Sequence, residues 1–361
     1  MDRSKRFSPT EVHNFLKTVG EAFATKPFHA HSVFSGSHAQ TLAAYAWPRR
    51  YRFQRFSNLD GTRLFEVEPG VNILAHCRWQ SQPTKCPTLI LWHGIEGSTA
   101  SVYMIGTADK AFRAGYNVLR VNFRNCGGTE HLTPTLYHGG LSGDLDAIIR
   151  ELIAKDGLKR IYPIGFSLGG NVVLKLAGEY ADDPPPELGA VCAISPSVDL
   201  AASTALIQQR KNWVYQGNFV RNLKRKVRAK HKLFPMRYDL KKLPLVKTLR
   251  DFDEHYTSVS HGFANADDYY YQCSSARFVE KIRVPGLIVH SEDDPFIPFE
   301  PLREKAFADN PYLLLVKTDK GGHVAFIGAK RNGEDRFWAE NRAVEFCNLV
   351  EQWNKTTSES S

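Results

Sequence analysis

The sequence has no long uninterrupted hydrophobic run. Its two longest apolar stretches, at 87–92 and 161–176, are too short or too often interrupted by glycine to span a bilayer. The charged N-terminal segment MDRSKRF is followed by no apolar core of the kind that a secretory signal needs. We therefore expect a cytoplasmic protein that crosses no membrane.

Clustered cysteines and nucleotide-binding glycine motifs are also missing. The six cysteines are scattered, with no Cys-x-x-Cys pair and no zinc-like spacing to histidine: Cys77, Cys86, Cys126, Cys192, Cys273 and Cys347. We expect reduced thiols and no structural metal. Because the glycine-rich stretches match neither G-x-G-x-x-G nor a P-loop, we expect no nucleotide and no other cofactor.

Acidic residues are almost absent from one part of the chain. Residues 210–250 contain fourteen basic residues and a single acid, Asp239, whereas the whole chain of 361 residues has a net charge of +9. The remainder is slightly acidic and no recognition motif accompanies the basic segment, which argues against a nucleic-acid partner. The segment is either a solvated helical face or a surface for weak peripheral contact with an anionic membrane.

Strand-like and helix-like segments alternate along the chain. The apolar segments predicted as strands are 51–57, 72–79, 88–92, 117–123, 161–164, 190–195, 286–290 and 312–317. Apolar residues at helical spacing predict helices at 9–17, 102–114, 141–155, 168–180 and 336–353. The alternation predicts an α/β fold, with a mostly parallel sheet, helices on both faces and an antiparallel edge formed by the two early strands.

The same pattern divides the chain into parts. We expect an N-terminal arm at 1–50, a core at 51–199 and 276–353, and a disordered tail at 354–361. The interruption at 200–275 is too long for a loop, so we expect it to fold as a helical cap or lid over the core.

The strongest chemical signal is a G-x-S-x-G motif centred on Ser167. It runs from Gly165 to Gly169, with an apolar strand before it and an amphipathic helix directly after it. This context is typical of a nucleophile elbow, in which a strained turn exposes the serine hydroxyl at a helix N-terminus. Pro163 lies in the preceding strand and removes one ladder donor, so we expect a local bulge there.

A serine nucleophile needs a base and an acid, which in this arrangement follow it in the order acid, then histidine. Of thirteen histidines, only His323 follows the last predicted strand in a glycine-containing turn. The preceding strand is followed by Asp294, our choice for the acid, with its neighbour Asp293 as an alternative. Asp199 is a third candidate and fits a helix cap better.

Two backbone amides should bind the developing oxyanion. One belongs to Leu168, which follows the nucleophile, and the other to the loop after the third strand. Ile95 is the expected second donor, with Glu96 as an alternative.

These stretches together resemble the YheT-like branch of the α/β-hydrolase superfamily, the AB-hydrolase-4 group. The similar stretches are SGSHAQT (35–41), HGIEGS (93–98), VNFRNCGGTE (121–130), YHGGLSGDL (137–145), GFSLGGN (165–171), DDPFIP (293–298) and GGHVAF (321–326). The resemblance implies a triad of Ser167, Asp294 and His323, a helical cap and activity on carboxylic esters, with acyl lipids among the substrates of relatives. Relatives often have glycine at the position of Asn125.

The sequence therefore predicts a serine hydrolase that cleaves carboxylic esters of acyl lipids or medium-chain acids through an acyl-enzyme. Transfer of the acyl group to an alcohol by the same mechanism stays open as an alternative. So does a non-catalytic protein that binds an apolar ligand, although the intact order of serine, acid and histidine argues against it.

Overall fold

The structure, a computed structural model, describes residues 8–47 and 61–359. Within these residues eight strands form one sheet in the order β1-β2-β4-β3-β5-β6-β7-β8. Strand β2 is antiparallel to β1 and β4, and all other neighbours are parallel. The strands are β1 (Gly61–Glu68), β2 (Val71–Arg78), β3 (Thr88–Trp92), β4 (Asn117–Val121), β5 (Ile161–Phe166), β6 (Val191–Ile194), β7 (Gly286–Ser291) and β8 (Leu313–Thr318).

Helices pack against this sheet in pairs, α3 with α9 and α4 with α5. The helices of eight or more residues are α1 (Pro9–Ala24), α2 (Ser37–Ala46), α3 (Val102–Arg113), α4 (Ser142–Ala154), α5 (Leu168–Tyr180), α6 (Leu200–Ile207), α7 (Trp213–Leu233), α8 (Ala266–Cys273) and α9 (Trp338–Glu359). Shorter α-helical or π-helical turns are Leu249–Phe252, Asp253–Thr257, Ser258–His261 and Lys305–Ala308. Short 3₁₀ turns are Pro83–Lys85, Glu130–Leu132, Arg210–Asn212, Leu240–Leu245, Ser275–Arg277, Val279–Lys281 and Glu300–Arg303. The predicted α/β fold with a mostly parallel sheet is confirmed.

The central strands agree with the sequence because they are covered on both faces. Every residue of β3, β4 and β5 is buried, so none of these strands alternates between apolar and polar residues. β3 and β5 are mostly apolar, and β4 also buries Asn117 and Arg120. Seven predicted strands match the structure to within two residues at each end. The predicted strand at 51–57 lies outside the described residues.

The sequence analysis missed β1 at the sheet edge. Phe65 is its only buried residue, and Leu64 beside it is half exposed. An edge strand with one buried side chain carries too weak an alternation to be recognised. At Pro163 the pairing of β5 with β3 has no break, from Thr88 opposite Ile161 to Trp92 opposite Gly165. On the other side of β5 the register shifts by one residue across Pro163, because Ile161 pairs with Leu188 and Ile164 with Cys192.

The first and last described helices both extend further than predicted. Helix α1 continues to Ala24 and α9 to Glu359, past residue 353, where we expected the final helix to give way to a disordered tail. The two helices contact each other, since the rings of Phe15 and Trp353 stack 4.4 Å apart. Such packing orders segments that would otherwise fray.

The segment between β6 and β7 contains α6, α7 and α8. Helix α7 buries Val220, Leu223 and Val227 and leaves most of its basic side chains outside. One turn before Leu223, the ring of Phe219 contacts the ring of Phe296 in an edge-to-face arrangement, with ring centres 6.1 Å apart. No helix in the described part of the chain is both long and apolar enough to cross a bilayer.

Close contact between β3 and α5 yields a stability prediction. A methyl group on Gly169 would lie 2.4 Å from the carbonyl oxygen of Trp92, whereas one on Gly217, an exposed residue in α7, would meet nothing. We expect Gly169→Ala to lower the free energy of unfolding by about 3 kcal/mol or more. Gly217→Ala should raise it by about 0.5–1 kcal/mol. Urea unfolding of both variants measures this, and equal midpoints would contradict the close contact.

Candidate active site

The site begins at the turn between β5 and α5, where Ser167 adopts φ 54° and ψ −118°. This backbone conformation is strained for a non-glycine residue and persists because neighbouring elements hold it. The Ser167 amide donates to the carbonyl of Ile194 at 2.9 Å. A methyl group on Gly165 would lie 2.1 Å from the carbonyl oxygen of Gly169, so the two glycines of the motif allow the strand and the helix to meet.

An imidazole and a carboxylate pair beside this turn. Nδ1 of His323 lies 2.8 Å from Oδ2 of Asp294, and the carboxylate is fully buried. The other oxygen, Oδ1, accepts hydrogen bonds from the amides of Phe296 and Ile297 at 2.8 and 3.0 Å. A carboxylate at Nδ1 holds the proton on that nitrogen and leaves Nε2 free to accept one.

The two alternative acids, Asp293 and Asp199, accept hydrogen bonds from other groups than the imidazole of His323. Asp293 accepts a hydrogen bond from the Gly322 amide at 2.9 Å and another from the Ser291 hydroxyl, so it supports the histidine loop and not the imidazole. Asp199 accepts from the amide of Ala202 at 2.9 Å and caps α6, as the sequence predicts. The geometry favours Asp294 as the partner of His323.

The loop after β3 provides one amide of the expected oxyanion site. The Glu96 amide donates to the hydroxyl of Tyr137 at 3.0 Å and is therefore occupied. Within residues 8–47 and 61–359, nothing accepts a hydrogen bond from the amide of Ile95, and this residue lines the cavity of Ser167. Leu168 is the first residue of α5, ahead of the intrahelical ladder. The geometry favours Ile95 over Glu96.

His93 fixes the start of the same loop. Its Nε2 accepts a hydrogen bond from the Phe123 amide at 3.0 Å, so Nδ1 carries the proton and donates to the Gly94 carbonyl at 2.7 Å. Burial lowers the pKa of His93 to about 3, which keeps the ring neutral. Both ring nitrogens of His93 are therefore engaged in hydrogen bonds that hold the loop, and His323 remains the candidate base.

The loop after β4 lies next to this one. Asn125 has φ 63°, a conformation that glycine adopts freely and asparagine tolerates. Its side-chain amide donates to the Thr135 carbonyl at 2.8 Å. Asparagine is therefore compatible with the left-handed backbone of this turn.

Sequence reasoning missed the residues that hold the histidine loop. The hydroxyl of Thr41, in α2, accepts a hydrogen bond from the His323 amide at 3.0 Å. Gln40 is fully buried and bonds both the amide and the carbonyl of Ile327. The Ser195 hydroxyl accepts from the amide of Val324 at 3.2 Å. The only available signal was the motif SGSHAQT, which carries no chemical role by itself.

One cavity joins these parts, enclosing about 500 Å³ that is partly open to solvent. Ser167 and His323 line it together with mostly apolar side chains: Ala44, Gly94, Ile95, Val102, Tyr103, Phe219, Phe296 and Val324. Among the described residues, no three His, Cys, Asp or Glu side chains are placed to hold a metal ion. The arrangement can present a nucleophile and a base to a substrate with an apolar group.

The sequence profile of the family described as "alpha/beta hydrolase fold" matches residues 87–330, more than half of the chain. Ser167, Asp294 and His323 all lie inside the matched range. The chain therefore belongs to the α/β-hydrolase family.

Within that family it falls in the YheT-like branch, as the sequence predicts. It is 30% identical over 322 residues to the protein named "Putative esterase YheT" from Escherichia coli, an alignment that covers 87% of this chain and 90% of that protein. It is 31% identical over 264 residues to "Monoacylglycerol lipase" from Saccharomyces cerevisiae, with 70% and 57% covered.

A solved structure shares the fold at low sequence identity. The Pyrococcus furiosus esterase Pf2001 aligns over 84% of this chain and 96% of that chain, with a TM-score of 0.55 and 17% identity.

The pairing of Asp294 with His323 leads to a test of the acid. Asp294→Asn should lower kcat for a soluble ester by about 10⁴-fold, because the amide favours the wrong imidazole tautomer. Asp293→Asn, the matched control, should retain far more activity because Asp293 bonds the Gly322 amide and the Ser291 hydroxyl and not the imidazole. Steady-state kinetics of both variants on one soluble ester decide the question, and an equal loss would overturn the assignment.

Proposed function

We propose that this chain is a serine hydrolase of carboxylic esters. The observation that carries the proposal is that His323, hydrogen-bonded to the buried Asp294, lines one cavity together with the strained Ser167. The named activities of the relatives support an ester hydrolase, in agreement with the sequence prediction.

In the proposed mechanism the Ser167 hydroxyl attacks the acyl carbonyl while Nε2 of His323 takes its proton. Asp294 stabilises the imidazolium, and the amides of Leu168 and Ile95 bind the oxyanion. His323 then protonates the leaving alkoxide as the tetrahedral intermediate collapses, and the alcohol departs from the acyl-enzyme. Water, deprotonated by His323, attacks the acyl-enzyme. The bond to the Ser167 oxygen then breaks, His323 returns the proton to that oxygen, and the carboxylic acid leaves.

The apolar lining of the cavity supports an acyl chain as the group that enters it. Ile95, Val102 and Phe296 offer no charge to a substrate headgroup. We therefore place esters of acyl lipids or medium-chain acids first among substrates.

The segment 200–275 is proposed as the cap over this cavity. Phe219 of α7 lines the cavity and packs against Phe296, two residues after Asp294. An apolar side chain from the inserted segment therefore forms one wall beside the triad.

The nucleophile can be tested directly. A fluorophosphonate probe should label the wild-type protein, and Ser167→Ala should abolish both labelling and ester hydrolysis, with a loss of about 10⁶-fold in kcat where triad members act as a unit. A panel of esters with increasing acyl length, including a monoacylglycerol, measures substrate preference in the same experiment. Labelling that survives the substitution would exclude Ser167.

We further propose that α7 makes weak contact with anionic lipid. One stripe of the helix and the turn after it expose apolar and basic side chains together: Trp213, Val214, Arg221, Arg225, Arg228, Lys232, Met236 and Arg237. Each basic residue near an anionic bilayer contributes about 1 kcal/mol, and exposed apolar side chains add insertion at the interface. Lys226 is excluded from this surface because its side chain is buried in an ion pair with Glu96.

Vesicle binding tests the lipid contact. Binding to anionic phospholipid vesicles should exceed binding to neutral ones and weaken as salt rises. Replacing Arg221, Arg225 and Arg228 with glutamine should weaken it further, while hydrolysis of a soluble ester stays unchanged.

The matched control replaces the exposed Lys17, Lys159 and Lys281 with glutamine, which removes the same charge elsewhere. The stripe would be excluded as the lipid contact if both triple variants lost binding equally, or if neutral vesicles bound as well as anionic ones.

A further inference from the structure

One lysine of the basic segment is buried beside the expected oxyanion site. The side chain of Lys226, in α7, is 12% exposed, and its Nζ lies 2.8 Å from Oε1 of Glu96, whose side chain is 8% exposed. Nζ also lies 3.2 Å from Sγ of Cys126. Burial raises the pKa of the Cys126 thiol to about 12, so the thiol is neutral and Glu96 is the counterion.

Glu96 is joined to Ile95 by a strained stretch of backbone. Its φ of 54° is unusual for a non-glycine residue and needs contacts that maintain it. The Tyr137 hydroxyl accepts from the Glu96 amide at 3.0 Å and donates to Oε1 at 2.8 Å, the same oxygen that meets Lys226. The side chain of Glu96 therefore fixes the peptide that follows Ile95.

The charge of Lys226 also matters at this position. A buried carboxylate one residue from Ile95 would oppose negative charge developing on a substrate oxygen bound to the Ile95 amide. The ammonium of Lys226, paired with the Glu96 carboxylate, cancels this unfavourable electrostatic effect. Burial alone lowers the pKa of Lys226, but the charge of the Glu96 carboxylate and the hydrogen bonds to Glu96 and Cys126 outweigh it and raise the pKa above its ordinary value.

We infer that Lys226, delivered by the inserted segment, is a positioning residue for the oxyanion site, acting through Glu96. It holds the Glu96 side chain against Tyr137, which fixes the peptide between Ile95 and Glu96, next to the peptide that carries the Ile95 amide, and it neutralises the carboxylate beside the developing oxyanion. This inference rests on the proposed ester hydrolysis and on Ile95 as an oxyanion donor. Because Lys226 belongs to α7, the inference also makes the geometry of the oxyanion site depend on the position of α7 against the core.

The same helix offers a matched control one turn further along. Lys230 is fully buried, and its Nζ donates to the carbonyl of Glu130 at 2.7 Å and to that of Thr133. It therefore attaches α7 to the core without touching the loop of Ile95. Replacing either lysine with methionine removes one buried ammonium from α7, but only Lys226→Met reaches the oxyanion site.

The experiment measures kcat and KM on a short soluble ester for four variants: Lys226→Met, Lys230→Met, Glu96→Gln and the double variant Glu96→Gln/Lys226→Met. Thermal unfolding curves are recorded first, and the assay temperature is one at which every variant is folded. Lys226→Met should lower kcat by about 10- to 100-fold with KM little changed. The inhibition constant of an alkyl trifluoromethyl ketone, which forms a tetrahedral adduct with the serine, should rise by a similar factor. Lys230→Met should keep kcat near wild type, whatever its effect on the melting temperature.

The double variant tests whether Lys226 acts through Glu96. Its kcat should fall no further than that of Glu96→Gln alone, because the carboxylate that Lys226 holds and neutralises is already gone. Additive losses, equal losses from Lys226→Met and Lys230→Met, or an unchanged Lys226→Met would each overturn the inference. Ser167→Ala serves as the separate check, because ester hydrolysis that survives it would contradict the proposed function itself.

Discussion

The distance between the end of β3 and the start of α5 is the constraint on which the site depends. Gly169 lies so close to Trp92 and His93 that a single added carbon would collide with their carbonyl oxygens. This approach brings the first turn of α5, the loop of Ile95 and the strained Ser167 to one side of the sheet. A side chain at position 169 would separate the nucleophile from the amides proposed to bind the oxyanion.

Much of the fold and the core of the site could be predicted because their signals are local. A strand buried on both faces is a continuous apolar run, and a tight turn into a helix requires glycine at fixed spacing around Ser167. The order of the strands then restricts the base and the acid to the segments that contain His323 and Asp294. Strand β1 and helix α2 gave no comparable signal, because the first buries only Phe65 and the second is short and partly polar.

The supporting residues could not be predicted because their roles exist only in the folded chain. Lys226 is one of fourteen basic residues in its segment, and nothing in the sequence separates it from exposed neighbours such as Arg225. Lys226 differs from them in the folded chain, where it pairs with the buried Glu96, 130 positions away in the sequence. Thr41 likewise belongs to a motif that suggests no chemical role by itself. Its role as an acceptor for the His323 amide exists only once the chain has folded.

The hydrogen bond between Thr41 and the His323 amide joins residues 282 positions apart, and Gln40 and Ile327 are 287 apart. Contacts of such separation form late, because the intervening chain must first be ordered. During synthesis from the N-terminus, β5, Ser167 and α5 leave the ribosome well before the histidine loop exists. The proposed nucleophile is thus made well before its base, and under the proposed mechanism the growing chain lacks a complete triad until the segment of His323 has been synthesised.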